Sequence, residues 1–269
     1  MKITKLSLLG ICAIGLTACV TNPMTGRKSF QLTSLNSEIS TAAATQYKTT
    51  LTSSKVITGT ADANRIKNIG NKIKNAANQY YKSIGRESDL ANYNWEFNLI
   101  DDAQINAWCM PGGKVAFYTG ILPICKDDNG IAVVMGHEVS HALAGHGNER
   151  ISQQMIAQYG GSILGTAISN QNMAKVIGAV YSGSSQVVLL KYGRSQELEA
   201  DKMGLYLMSM AGYDPRTSVP FWQRMEAAGS SKSTPDFLST HPNPQNRISD
   251  LNAAMPQALE YYKNAGGKL

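Results

Sequence analysis

Residues 131–147 read IAVVMGHEVSHALAGHG, and this stretch decides what the rest of the chain has to provide. On a helix turning about 100° per residue, His137 and His141 lie about 40° apart and project from one face. Neutral imidazoles at that spacing can reach a single tetrahedral Zn²⁺, with Glu138 flanking the remaining, water-bearing position. A metal there lowers the pKa of a water toward about 7, and an adjacent carboxylate can take the proton as the oxygen attacks a carbonyl. The chemistry expected of the HExxH spacing is peptide hydrolysis. Ile131, Ala132, Val133, Val134, Val139, Ala142 and Leu143 make the helix apolar almost all round, and Asp127 and Asp128 precede it as capping residues. Two histidines and a glutamate buried on such a helix need partners, which a metal supplies.

A third ligand should come from elsewhere. His146 follows His141 by five residues, and on a continuing helix it would sit about 180° from His137. It reads as a helix-end or packing histidine rather than a ligand. Residues 194–204, RSQELEADKMG, have helical character with Glu197 and Asp201 on one face and Glu199 on the other. Glu197 can complete a two-histidine, one-glutamate zinc site, and Asp201 is placed to accept the other ring N–H of a liganding histidine.

The N-terminus carries its own instructions. Lys2 and Lys5 precede a short apolar run, Leu6 to Leu16, and Leu16-Thr17-Ala18-Cys19 follows. The run is too short for a stable membrane span and reads as an export signal over residues 1–18. Its ending resembles the bacterial lipobox, which makes Cys19 the lipidated first residue of the mature chain. Val20 after it resembles lipoproteins sent to the outer membrane. The expectation is a periplasm-facing body in the bacterial cell envelope, held through the lipid on Cys19. Residues 19–35, with turn chemistry at Asn22-Pro23 and Thr25-Gly26, read as a tether, and residues 36–269 as the folded domain. Removing the signal leaves 23 basic against 19 acidic residues, a net charge of +4 that argues against nucleic acid as a partner. Of the four cysteines, Cys109 and Cys125 remain as a pair that an oxidising compartment could join, although spacing alone leaves this open.

Residues 37–51 predict a polar helix. In 61–81, Ile66, Ile69, Ile73, Ala76, Ala77 and Tyr80 recur at helical spacing, with Lys67, Lys72 and Lys74 mostly on the opposite, solvated side. Residues 94–100, NWEFNLI, alternate as a strand, and Pro111-Gly112-Gly113 turns between two more. A strand pair just before the HExxH helix suggests a cradle at Asn106, Ala107, Gly112 and Gly113, where an extended polypeptide adds itself to a sheet edge; a hairpin that only packs on the core is the alternative. Residues 153–190 are glycine-rich and lack a membrane span. Core helices are the favoured reading, a mobile lid the other. Pro242 and Pro244 stiffen a turn before a final helix over 246–264.

Taken together, NPMTGRK (22–28), NAWCMPGGKVAFYTG (106–120), GHEVSHALAGH (136–146), RSQELEADKMG (194–204) and STHPNPQNRI (239–248) resemble the gluzincin metallopeptidase family of HtpX, BepA and the CAAX prenyl protease, particularly its periplasmic lipoprotein members. The resemblance implies a mostly helical α+β zincin domain with a small sheet beside the active-site helix. It implies a zinc endopeptidase with His137, His141 and Glu197 as ligands and Glu138 as general base. It also returns the His-Pro segment to the cleft, where His241 could bind the oxyanion or occupy the open zinc position at rest. Unfolded or misassembled envelope proteins are the substrates it suggests. A chaperone-like assembly factor with latent proteolysis is the alternative.

Overall fold

The computed structural model describes residues 19–33, 36–159, 193–229 and 235–269. The predicted export signal and most of the 153–190 segment, with its expected lid or core helices, lie outside the described residues. The architecture is α+β and mostly helical, as expected. A sheet with strand order β3-β4-β6-β5 is built from β3 (Val56–Ile57), β4 (Glu96–Ile100), β5 (Ala107–Met110) and β6 (Lys114–Tyr118). β4 runs parallel to β6, and the other pairs are antiparallel.

Alternation along the strands feeds two cores. Cys109, Val115 and Phe117 face the larger one, while Trp108, Met110 and Ala116 face the other, where helix α1 (Asn36–Ser53) supplies Ile39, Ala43 and Tyr47. The sheet is therefore buried on both faces. On the larger side lies α2 (Ala61–Ser83), started by the Thr60 hydroxyl accepting from the Ala63 N–H and burying Ile66, Ile69 and Ile73.

After the short helix α3 (Leu122–Cys125) comes α4 (Asp128–Leu143), capped by Asp127, whose carboxylate accepts from the Gly130 N–H. Helices α5 (His146–Tyr159), α6 (Arg194–Met210), α7 (Ser218–Gly229), α8 (Asp236–Thr240) and α9 (Arg247–Asn264) complete the body. α4 and α6 approach unusually closely, because glycine faces glycine where they meet. A Cβ on Gly136 would lie 2.7 Å from the Gly204 carbonyl oxygen, and one on Gly204 would lie 2.8 Å from the His137 nitrogen. This contact sets the ligand-bearing faces of the two helices against each other.

Two expectations are corrected. Of the predicted tether over 19–35, the described residues 19–33 do not hang free: Cys19–Thr21 (β1) pairs with Lys28–Phe30 (β2), and the turn between them is docked on the domain. Gln31 donates to the Ala144 carbonyl at 3.0 Å, and Arg27 bonds Glu149 and Glu199. The polar residues that suggest a linker are spent on these contacts. The second correction concerns α4, which does not continue through His146. Gly145 adopts φ +66°, the left-handed conformation that ends helices, and α5 starts afresh at His146. No helix among the described residues is long and apolar enough to cross a membrane.

Candidate metal centre

The spacing of His137 and His141 on α4 does what the sequence predicts. Their Nε2 atoms stand 3.0 Å apart, both side chains 1% exposed. Glu197, on the first turn of α6, brings Oε2 to 3.6 Å from His137 Nε2 and Oε1 to 3.4 Å from His141 Nε2. Ligand atoms about 2.05 Å from a common tetrahedral centre are separated by about 3.3 Å, and the two imidazole nitrogens and the Glu197 carboxylate are spaced close to that value. His241 joins them: its Nδ1 lies 3.0 Å from Glu197 Oε1 and 3.3 Å from His137 Nε2, and all four ligand atoms fall within 4.8 Å of one another.

The protonation states also suit a cation. Burial first, and then neighbouring His137, drive the His141 pKa well below the ordinary imidazole value, leaving a neutral ring with a lone pair to give. Burial works against an ionised Glu197, but His241, His141 and His137 outweigh it and hold its pKa well below the usual carboxylate range. Glu138 is 1% exposed, and its Oε1 has no hydrogen-bond partner among the described residues. A buried carboxylate oxygen facing a cluster of ligand atoms marks where a metal and its water fit. Burial raises the Glu138 pKa, His241 and His137 pull it back, and the Cys109 backbone N–H on β5 steadies the group.

Behind the ligands stands a clamp that the sequence did not disclose. Asp201 Oδ1 lies 3.0 Å from His137 Nδ1, as its place four residues after Glu197 predicts. The guanidinium that grips both acids is Arg247, 1% exposed, donating to Asp201 Oδ2 at 2.6 Å and to Glu197 Oε2 at 2.8 Å. It stacks 3.7 Å from the Trp222 ring centre, and Trp222 and Phe237 also flank His137. Nothing in the periodicity around Arg247 marks it as buried. His146 was also missed as a partner of the site. Its Nδ1 lies 2.8 Å from His141 Nδ1 and its Nε2 2.9 Å from Glu199 Oε2. Gly145, a helix stop visible in the sequence, was the signal that the rotation argument overlooked.

The remaining candidates divide. Asn106 and Ala107 lead into β5, the outer strand of the sheet, while Gly112 and Gly113 close the hairpin with φ of +81° and +83° and accept from the Asn94 and Glu96 N–H groups. Cys19 is exposed at the start of β1. Cys109 and Cys125 are free, buried thiols, so the disulfide left open by the sequence is not formed. Cys109 is held in register with Val115 while Cys125 ends α3, and both sit in the core, where burial raises their pKa values, that of Cys125 to about 12.

A two-histidine, one-glutamate centre on an HExxH helix beside a small sheet is the arrangement of a zincin metallopeptidase. Residues 63–255 match the model of peptidase family M48, more than half of the chain, and the chain belongs to that family. It is 35% identical over 178 residues to the mitochondrial metalloendopeptidase OMA1 of Schizosaccharomyces pombe, covering 66% of this chain and 51% of that protein. The Saccharomyces cerevisiae protein of the same name is 34% identical over 209 residues, 75% of this chain and 58% of its own length. The beta-barrel assembly-enhancing protease of Escherichia coli is 27% identical over 184 residues, 64% of this chain and 37% of that protein. The chain thus spans between 37% and 58% of the length of these relatives.

Proposed function

We propose that the protein is a zinc-dependent endopeptidase of the bacterial cell envelope, cutting unfolded or misassembled envelope proteins in extended conformation. The observation that carries this reading is the convergence of His137, His141 and Glu197 on one buried cluster beside Glu138 Oε1, which lacks a hydrogen bond among the described residues. Those three side chains would hold one zinc per chain. When bound, zinc supplies Lewis-acid polarisation of the attacking water and the scissile carbonyl.

The chain's own groups do the rest. Glu138 takes the proton of the water and delivers it to the leaving amine; burial places its pKa above that of an ordinary carboxylate, nearer the value a general base needs. Asp201 holds His137 in the tautomer that presents Nε2 to the cluster. His241 rests with Nδ1 3.0 Å from Glu197 Oε1 and Nε2 3.5 Å from Glu138 Oε1, where it would take the open corner of a zinc held by the other three. It must leave that corner for substrate to enter, and from the rim its ring can donate to the oxyanion. A resting, closed site is what the alternative of an assembly factor with latent proteolysis requires, and the burial of His241 supports that degree of latency. Substrate would pair along the outer edge of β5 at Asn106 and Ala107, with Gly112 and Gly113 shaping the turn.

The lipobox-like run ending at Cys19 supports an outer-membrane lipoprotein facing the periplasm. The test is zinc content and casein cleavage by the purified full chain. Glu138→Gln should keep stoichiometric zinc and lose about 10²–10⁴-fold in cleavage, and His137→Ala should lose both. Undiminished cleavage by Glu138→Gln contradicts the mechanism, and full rescue of an envelope phenotype by that variant favours the assembly-factor reading.

A further inference from the structure

Each liganding histidine has its back against a different support. His137 leans directly on Asp201, which Arg247 clamps. His141 leans on another imidazole, His146, which leans on Glu199, clamped in turn by Arg27 and Thr25. Arg27 also donates to both oxygens of Glu149, at 3.1 and 2.7 Å, and Gln196 donates to Glu149 at 2.8 Å. His146 is fully buried, and Glu199 and Glu149 are 5% and 6% exposed.

The proton positions follow from the geometry. His141 presents Nε2 to the ligand cluster, so its ring proton is on Nδ1 and is donated to His146 Nδ1. His146 therefore carries its own proton on Nε2 and donates it to Glu199 Oε2. One tautomer at each ring satisfies both contacts, and the carboxylate at the end fixes both. Gly145 makes the contact available by turning the chain back after α4, and Gln31 holds that turn through the Ala144 carbonyl.

We propose that His146, Glu199 and Arg27 are positioning residues for the metal centre: a relay that fixes the tautomer and orientation of His141 and makes the segment following Cys19 part of the site. The inference rests on the zinc reading above and goes beyond it, because that reading gives no role to His146, Glu199 or Arg27, and Arg27 lies outside residues 63–255 that the family model matches. Partners of liganding histidines tune metal affinity, and their loss typically weakens it about 10–100-fold.

The test compares the full chain with Glu199→Gln, His146→Gln and Arg27→Ala. Three readouts are taken: zinc affinity by competition with a chromophoric chelator, the absorption spectrum of the cobalt-substituted protein, and the rise in Tm on adding zinc to metal-free protein. Glu199→Gln should weaken zinc binding about 10–100-fold, shift the cobalt bands and shrink the zinc-induced rise in Tm. Arg27→Ala should move all three in the same direction by less. Variants that lower the metal-free Tm while keeping wild-type zinc affinity and an unchanged cobalt spectrum overturn the relay and leave a packing role. Should Glu199→Gln or His146→Gln not fold, Arg27→Ala decides by the same criteria, since its side chain is 22% exposed. Wild-type chain that binds zinc no better than His137→Ala refutes the zinc reading itself, and the relay with it. That outcome differs from normal wild-type binding with unaffected relay variants.

Discussion

At the scale of single residues, the site is a set of buried charges that tolerate one another only as a set. Glu197 and Asp201 are four residues apart on α6 and both buried, and Arg247 reaches them from the start of α9 with a different nitrogen for each. Removing one partner of a buried ion pair leaves the others desolvated and unpaired, typically at about 3–5 kcal/mol. Arg247→Ala is therefore expected to lower unfolding stability by about that amount in urea titrations of metal-free protein. Zinc added in excess should restore part of the loss, because the cation takes over the charge on Glu197. A variant as stable as wild type would show that the guanidinium is incidental. Lysine would not substitute well, since a single ammonium cannot span both carboxylates while stacking on Trp222.

At the scale of elements, the site depends on how closely α4 and α6 can lie. The ligands come from residues 137, 141 and 197, and it is the Gly136–Gly204 contact that lets the helices meet. Gly204→Ala would place a methyl group 2.8 Å from the His137 nitrogen, so the helices must part. The expected result is a loss of about 1–3 kcal/mol in stability together with weaker zinc binding. Unchanged values for both would mean that the backbone yields without moving the ligands. Helical spacing was enough to read α4, α2 and α6 from the sequence, and it paired His137 with His141 and Glu197 with Asp201, because each pair lies on one face of a single element. It failed at the ends of elements and between them. A helix continued past Gly145 would turn His146 away from the site, but α4 ends there. Glu199 was correctly placed opposite Glu197, but that face of α6 meets Arg27 rather than water.

At the scale of the whole molecule, the N-terminal segment is a structural part of the domain. Its short polar residues resemble a linker because the side chains that dock it reach residues more than a hundred positions away, as with Arg27 to Glu149 and Glu199. Local pattern holds no trace of such pairing. The consequence is an acid-sensitive seam. Burial opposes ionisation of Glu149 and Glu199, but Arg27 and Gln196 at the first, and His146, Thr25 and Arg27 at the second, outweigh it and depress both pKa values. Depressed carboxylate pKa values stabilise the fold above the unfolded value of about 4.3, and that contribution is lost as pH falls through the folded values. His146, whose pKa is lowered chiefly by burial, adds a loss in the same direction from about pH 6.5 downward. With chelator present to exclude metal, the urea midpoint should fall as pH drops from about 7 to 3, and less steeply in Glu199→Gln. Equal slopes in the two proteins would remove the seam from the account. The central claim remains the closure of residues 137, 141 and 197 around one ion. Anomalous diffraction at the zinc edge from crystals of the purified chain tests it directly. A single strong peak is expected about 2.0–2.2 Å from His137 Nε2, His141 Nε2 and a Glu197 oxygen. A peak elsewhere, or none in zinc-supplemented crystals, would contradict it.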